Sequence, residues 1–453
     1  MNLAGSNERL GRIFTSKYFY GALFAAACII SLLEIEVFGA VMFAVIICAA
    51  LCLCDDIMAT TAPFLLMCVF LCRCYDSYNT FIKFAPLAIP VAAIFIWHFI
   101  RFRKKIIIGE SFWGVVAVAV AVTLGGIGKI PVEDYFSGTS LYYVGFLGLG
   151  MIVSYLLLRP KIETKSYDIK EKFTSAMYLA GLLACVVVIG IVIKGSVEII
   201  QSEKIVNKLD YIRAHIAGML SRANYCTFIM FAMPFVFYRS LKNKWHVLSA
   251  LLMLGTIFLT ASRAGLLFGT LEFLILIVYA CIYDRKWTPL YIGCVALPVA
   301  VLLCSTDIVE LLFYRFRNGF ISENDARLQL VFRSIEDFKS NIIFGQGLGY
   351  RGNTDIYNPK TGAMTWYHMM IPQIIGSMGI VGILGYGYQI FTRVKLVLCK
   401  FSAWKWAVSL SYLGILMMSQ VNPGEFCPIP YELMTVMLFM FMEYDKEQTE
   451  RLA

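Results

Sequence analysis

Long apolar blocks alternate with short polar turns along the whole chain. About 20 such residues are what a helix needs to cross the hydrocarbon core of a bilayer. Blocks of this kind fall at 18–33, 37–54, 57–72, 84–100, 112–130, 140–158, 173–193, 224–238, 246–261, 264–283, 288–304, 369–392, 406–421 and 430–443. Backbone polar groups in lipid must be satisfied within their own segment, so each block is expected to be helical. The pattern predicts an all-α, polytopic membrane bundle of about 14 (12–14) transmembrane helices, with a large extracytoplasmic loop containing short helices. The division between 37–54 and 57–72 is the least marked, since Asp55-Asp56 carries little topological weight.

Two polar segments are long, 194–223 and 305–368. Each contains apolar residues at three- and four-residue spacing: Ile205, Leu209, Ile212, Ile216 and Leu220 in the first, Leu328, Val331, Ile335 and Phe338 in the second. Such stripes predict amphipathic helices, which either lie on the membrane or cap the bundle. No long repeat or low-complexity segment is visible. The chain divides into N-terminal helices 1–193, a central region 194–393 that includes both long loops, and C-terminal helices 394–453.

Composition supports the bilayer reading: 59% of residues are apolar and 15% charged, far from the balance of a soluble domain. The net charge of +9 would suggest a polyanion partner in water. In a membrane chain it has a different first explanation. With the N-terminus in the cytoplasm, the strongly basic short loops all fall on that side: Arg101 to Lys105, Arg159 to Lys172, Arg239 to Lys244, Arg285-Lys286, and Arg393 to Lys405. Both termini are then cytoplasmic, and nucleic acid is not an expected partner. The cysteines lie mostly inside apolar blocks, where they pack as small hydrophobes. Cys52/Cys54 and Cys72/Cys74 lack metal-knuckle spacing, so no metal and no cofactor is expected.

Against this background, cations on the outer side need a reason. Arg213 and Arg222 lie in the first long loop. Arg263 sits in the very short turn Thr260-Ala261-Ser262-Arg263-Ala264-Gly265. A guanidinium fork suits a phosphate, and an ion pair or headgroup contact is the structural alternative. His368 enters the twelfth span after Trp366-Tyr367 and can accept a proton near neutrality. Glu272 lies mid-span in the tenth helix, a position that marks a functional candidate. Gly376, Gly379, Gly382 and Gly385 recur every three residues, which predicts close helix packing. Gly345-Gln346-Gly347-Leu348-Gly349 has no preceding strand and no following Gly-Lys-Ser/Thr, so it is not a nucleotide loop.

In order, the chain has Arg213, then Arg222-Ala223-Asn224 before a span, then Ser262-Arg263-Ala264-Gly265. A long loop follows with Asp325-Ala326-Arg327, a helix, and Phe344-Gly345-Gln346-Gly347-Leu348-Gly349. The last element is His368 leading into Gly379-Ile380-Val381-Gly382. Over roughly 195–393 this resembles the O-antigen ligase / O-antigen polymerase superfamily of bacterial membrane glycosyltransferases. The resemblance implies an inner-membrane enzyme with a cavity facing the periplasm or exterior. Its donor would be a glycan on undecaprenyl pyrophosphate, transferred with inversion to a sugar hydroxyl of a glycan or lipid-linked acceptor. It implies catalytic His368 and Arg263, with Arg213, Arg222, Arg263 and Arg327 on the pyrophosphate. Arg213 and Arg222 both match the first-loop position. The family often has His-Asn where this chain has His368-Met369.

The chemistry fits these residues. Negative charge gathers on a leaving pyrophosphate, and arginines in a partly dry cavity stabilise it. An acceptor hydroxyl needs a base placed at it. Three functions use the same lipid-linked substrate. The first is a polymerase of surface polysaccharide (O-antigen, capsule or exopolysaccharide), with a chain-length regulator as a further partner. The second is a ligase that moves a finished glycan onto a lipid core or other acceptor. The third is a transporter or flippase, which would need a mid-membrane polar path that the spans scarcely offer.

Overall fold

The computed structural model describes residues 10–74, 88–129, 144–162, 168–201, 222–260, 262–304, 326–348, 357–358, 363–364, 367, 369–399, 402–421 and 431–451. Its helices, in chain order, are α1 (Lys17–Leu32), α2 (Glu36–Leu53), α3 (Ile57–Cys74), α4 (Ala88–Arg101), α5 (Glu110–Leu124), α6 (Met151–Ile162), α7 (Ile169–Gln201), α8 (Arg222–Ser240), α9 (His246–Leu259), α10 (Arg263–Tyr283), α11 (Thr288–Cys304), α12 (Ala326–Ser340), α13 (Met370–Leu398), α14 (Ala403–Ser419) and α15 (Tyr431–Arg451). A π-helical turn, Val144–Gly150, leads into α6. A two-residue antiparallel ladder pairs Tyr357–Asn358 with Ala363–Met364.

Each apolar block of the sequence contains one of these helices. Among the described residues, five segments are long and apolar enough to cross a membrane: α2, Val144–Ile162, Ile169–Glu198 of α7, α10 and α13. Five further apolar helices, in α1, α3, α4, α5 and α9, are shorter. The stripe expected at Leu328 to Phe338 is the helix α12. The one expected at Ile205 to Leu220 lies outside the described residues.

The chain forms two compact units, interleaved in sequence: Met1–Lys104, Thr164–Arg315 and Ala407–Gly414 form the first, and Lys105–Glu163, Phe316–Trp406 and Ile415–Ala453 the second. In the first, α8 is buried on every side: each residue from Asn224 to Phe237 is buried. A helix that is apolar all round belongs in an interior, and α7, α9 and α10 surround it. At one end of this unit the basic turns meet. Lys172 Nζ donates to the Thr15 carbonyl at 2.5 Å, Arg239 donates to Ser175 Oγ at 2.9 Å, and Lys242 pairs with Glu171 at 3.2 Å. Lys244 pairs with Asp284 there too. Lys104 and Asp55, from two further turns read as cytoplasmic, pair at 2.8 Å.

The core of the second unit joins Val118, Ala121 and Val122 of α5 to Ile374, Met378 and Tyr386 of α13, with Leu147, Leu348 and Met370. Small residues let α5 and α13 approach closely: a Cβ on Gly385 would lie 2.7 Å from the Ala117 carbonyl. At one end of this unit, Glu443 of α15 accepts from Tyr155 Oη at 2.5 Å and from Arg159 Nε at 3.3 Å. The Ser111 amide also donates to it. Lys446 and Lys395 both reach Glu110 there.

Candidate active site

The Ser-Arg-Ala-Gly turn is built by three local devices. Thr260 ends α9, and its hydroxyl accepts from the Ser262 amide at 3.3 Å. Ser262 is extended and caps α10, its Oγ accepting from the Gly265 amide at 3.3 Å. This satisfies one of the amides left open at a helix start. Gly265 then has no Cβ, because that position is taken by Cys226 of α8. Cys226 Sγ lies 3.1 Å from Thr260 Oγ1. The first turns of α8 and α10 are thereby held side by side. Arg222 is the first residue of α8 and Arg263 the first of α10, and the Arg263 side chain is exposed. Two adjacent helix starts direct amides and positive dipole ends to the same place, which favours an anion.

The second unit contains a different device. α13 is interrupted at Gly379, where φ is 59° and ψ −147°. Only glycine adopts that conformation readily. The break frees backbone groups of the helix, and the Gly-rich segment after α12 takes them up. Gln346 and Gly347 amides donate to the Gly376 and Ser377 carbonyls at 2.8 Å each. The Ile380 and Val381 amides donate to the Ile342 and Ile343 carbonyls at 2.9 and 3.1 Å. Gly345 sits at φ 63°, and a Cβ there would lie 2.5 Å from the Met378 amide nitrogen. The Phe344 carbonyl accepts from the Gly126 amide at 2.7 Å, and Asn341 Nδ2 donates to the Ile127 carbonyl at 2.9 Å. Discontinuous helices persist in membrane proteins where other backbone re-satisfies the freed groups. Ile342 to Gly347 is thus a backbone plug for a broken helix.

The same junction holds Tyr367. Its ring lies against Gly376, where a Cβ would come within 2.8 Å of it. Its hydroxyl donates to Asp337 Oδ2, and Asp337 is also paired with Arg333 at 3.2 Å. Its amide donates to Gln373 Oε1 at 3.2 Å, and Gln373 Nε2 donates to Ser377 Oγ at 2.8 Å. Met369 caps α13, and its carbonyl accepts from the Gln373 amide at 3.0 Å.

The residues singled out in the sequence divide between the units. Arg263 stands in the first, as does Arg222, whose backbone alone is described. Arg327 is the second residue of α12 in the second unit, its side chain outside the described residues. Arg213 and His368 lie outside the described residues. Glu272 is fully buried in α10, and among the described residues neither of its oxygens has a hydrogen-bond partner. It faces Gly414, where a Cβ would sit 3.0 Å from its Oε1. Asp337, Tyr367 and Gln373 were not singled out. Their signal is faint: Asp337 and Tyr367 are thirty positions apart, and only the fold pairs them. The glycines read as packing residues differ in role. Gly385 packs against α5, whereas Gly379 breaks the helix.

Residues 248–387 match the family model described as O-antigen ligase. No curated protein and no solved structure matches the chain. The matched stretch contains both the capped Arg263 turn and the plugged break at Gly379. The match over residues 248–387 supports a likeness of that stretch to the O-antigen ligase/polymerase superfamily.

Proposed function

We propose that this chain is a membrane glycosyltransferase that polymerises a bacterial surface polysaccharide from undecaprenyl-pyrophosphate-linked units. The observation that carries the reading is Arg263, exposed on the capped first turn of α10 beside the first turn of α8, within the stretch that matches the O-antigen ligase model. In the proposed reaction the acceptor hydroxyl oxygen attacks the anomeric carbon of the donor. The bond from that carbon to the pyrophosphate oxygen breaks, so configuration inverts, and undecaprenyl pyrophosphate leaves. His368 takes the hydroxyl proton as the new bond forms. Arg263 and Arg327, with Arg213 or Arg222, stabilise the charge on the departing pyrophosphate. The active site faces the periplasm or exterior, where the outer-leaflet donor keeps its polyprenyl tail in lipid.

Arg263→Ala and His368→Ala, each expressed from the chromosome of a deletion strain, test this. Polymer extension should be lost in both while the protein stays inserted in the inner membrane. Normal polymer length in both variants would sink the site assignment. A ligase is the second reading, since the matched domain is described by that activity. It predicts that deletion leaves long lipid-linked polymer that is no longer attached to its acceptor, whereas loss of a polymerase leaves single units. A flippase would leave its substrate unextended when purified protein is given lipid-linked units in detergent.

A further inference from the structure

In the second unit, at the end where Glu443 meets Arg159, a cleft of about 370 Å³ opens beside the start of α5. Glu110 and Trp113 of α5, Leu396 of α13, and Glu443, Lys446 and Glu447 of α15 line it. Its charges are of two kinds. Arg159 and Glu443 are buried against each other and form the wall. Glu110 and Lys446 pair at the mouth, and Lys395 reaches the same carboxylate at 3.5 Å. The side chains of Glu110, Glu447 and Lys395 are 34%, 31% and 61% exposed, so both signs of charge face outward. The Trp113 ring is exposed beside them. Below the cleft, Trp113, Ala117, Val120, Leu124 and Ile127 follow one another at three- and four-residue spacing on α5, each exposed or half-buried, while Val118, Ala121 and Val122 face the core. Trp113 to Leu124 covers about 17 Å of helix, close to half the thickness of a bilayer's hydrocarbon core.

We propose that this cleft binds the headgroup of a phospholipid carrying a phosphate and a primary ammonium, with one acyl chain laid along α5. Charge complementarity selects that occupant. A zwitterion can exchange partners with the Glu110–Lys446–Lys395 cluster and leave no charge unmatched: its phosphate takes the lysines, and its ammonium takes Glu110 and Glu447. An anionic headgroup without an amine would compete with Glu110 for both lysines and leave that carboxylate unpaired. A quaternary ammonium could lie over the Trp113 ring but has no N–H to donate to the carboxylates. Trp113, apolar in body and polar at its indole N–H, suits the level where headgroup meets chain. The site is independent of the proposed transfer reaction and needs only that α5 crosses the membrane.

The test uses the full-length chain, purified and delipidated in detergent. Phosphatidylethanolamine, phosphatidylglycerol and phosphatidylcholine are added separately at equal mole fraction, and bound lipid is counted by native mass spectrometry beside the thermal unfolding midpoint. Phosphatidylethanolamine should be retained at one molecule per chain, with about tenfold or greater preference over the other two, and should raise the midpoint. Glu110→Gln and Trp113→Leu should each weaken its binding by about tenfold. Trp245→Leu, at an exposed tryptophan of the first unit, should leave it unchanged. Equal retention of the three lipids shows an unselective lipid shell and overturns the proposal. So does equal weakening by Trp113→Leu and Trp245→Leu, which marks a general aromatic belt. A midpoint raised by spermidine and not by phosphatidylethanolamine overturns it in favour of a soluble polycation. Trp113→Leu replaces one lipid-facing apolar side chain by another, so the variant test stands even if Glu110→Gln fails to fold.

Discussion

Arg159 shows how one residue can serve topology and packing at once. In the sequence it is one of several cations in a basic turn. In the structure its side chain is fully buried, with Nε 3.3 Å from Glu443 and Nη2 2.6 Å from Glu447. Arg393 is similar, 3.2 Å from Glu432 and 2% exposed. Neither was legible as an ion pair, because the partners are more than 280 positions away in the first case and 39 in the second. Arg159→Met should destabilise the protein by about 3–5 kcal/mol, since it leaves Glu443 buried without its cation. Replacing Arg159 and Glu443 together by methionine should recover much of that loss, read as thermal unfolding in detergent. The contrast with Arg263 is instructive. That side chain is exposed at a helix start, so its loss should leave the unfolding midpoint nearly unchanged while abolishing transfer.

At the scale of elements, α13 and α12 carry the argument. Glycines in α13 were legible as a pattern, and their spacing suggested packing alone. What the spacing could not convey is that Gly379 takes a positive φ and that the Gly345–Gly347 segment fills the resulting gap. Gly379→Ala would put a Cβ 2.5 Å from the Ile342 carbonyl in a conformation that costs about 1–3 kcal/mol. The variant should unfold at lower temperature, and protease should cut near 341–348 at concentrations that spare the wild type. α12 tests the alternatives left open for the amphipathic helices. Leu328, Phe332 and Ile335, with Ile342 and Ile343 just beyond, are exposed apolar residues, while Ser334 and Asp337 face inward. A stripe of that kind favours contact with lipid. A nitroxide at position 332 should be more accessible to oxygen than to a water-soluble nickel chelate. The reverse order at that position would argue for a helix standing in water.

For the whole molecule, the distribution of charge is the testable property. Turns with excess lysine and arginine converge at one end within the first unit, while Lys194 pairs with Glu34 at 2.7 Å from turns read as outer. The positive-inside rule would place that basic end in the cytoplasm. Alkaline phosphatase fused after residue 163 should be inactive in the cytoplasm, and fused within 305–325 it should be active outside. Active enzyme at both positions would break the fourteen-span topology.

The sequence by itself determined the membrane character, the helical class and the ordered set of candidate residues, because hydropathy and short motifs are local properties of the chain. Tertiary structure alone decided that α8 and α10 begin side by side, that a glycine loop plugs the break in α13, and that Asp337 reaches Tyr367. Each of those depends on groups far apart in sequence meeting at hydrogen-bond distance, and no local pattern encodes such a meeting.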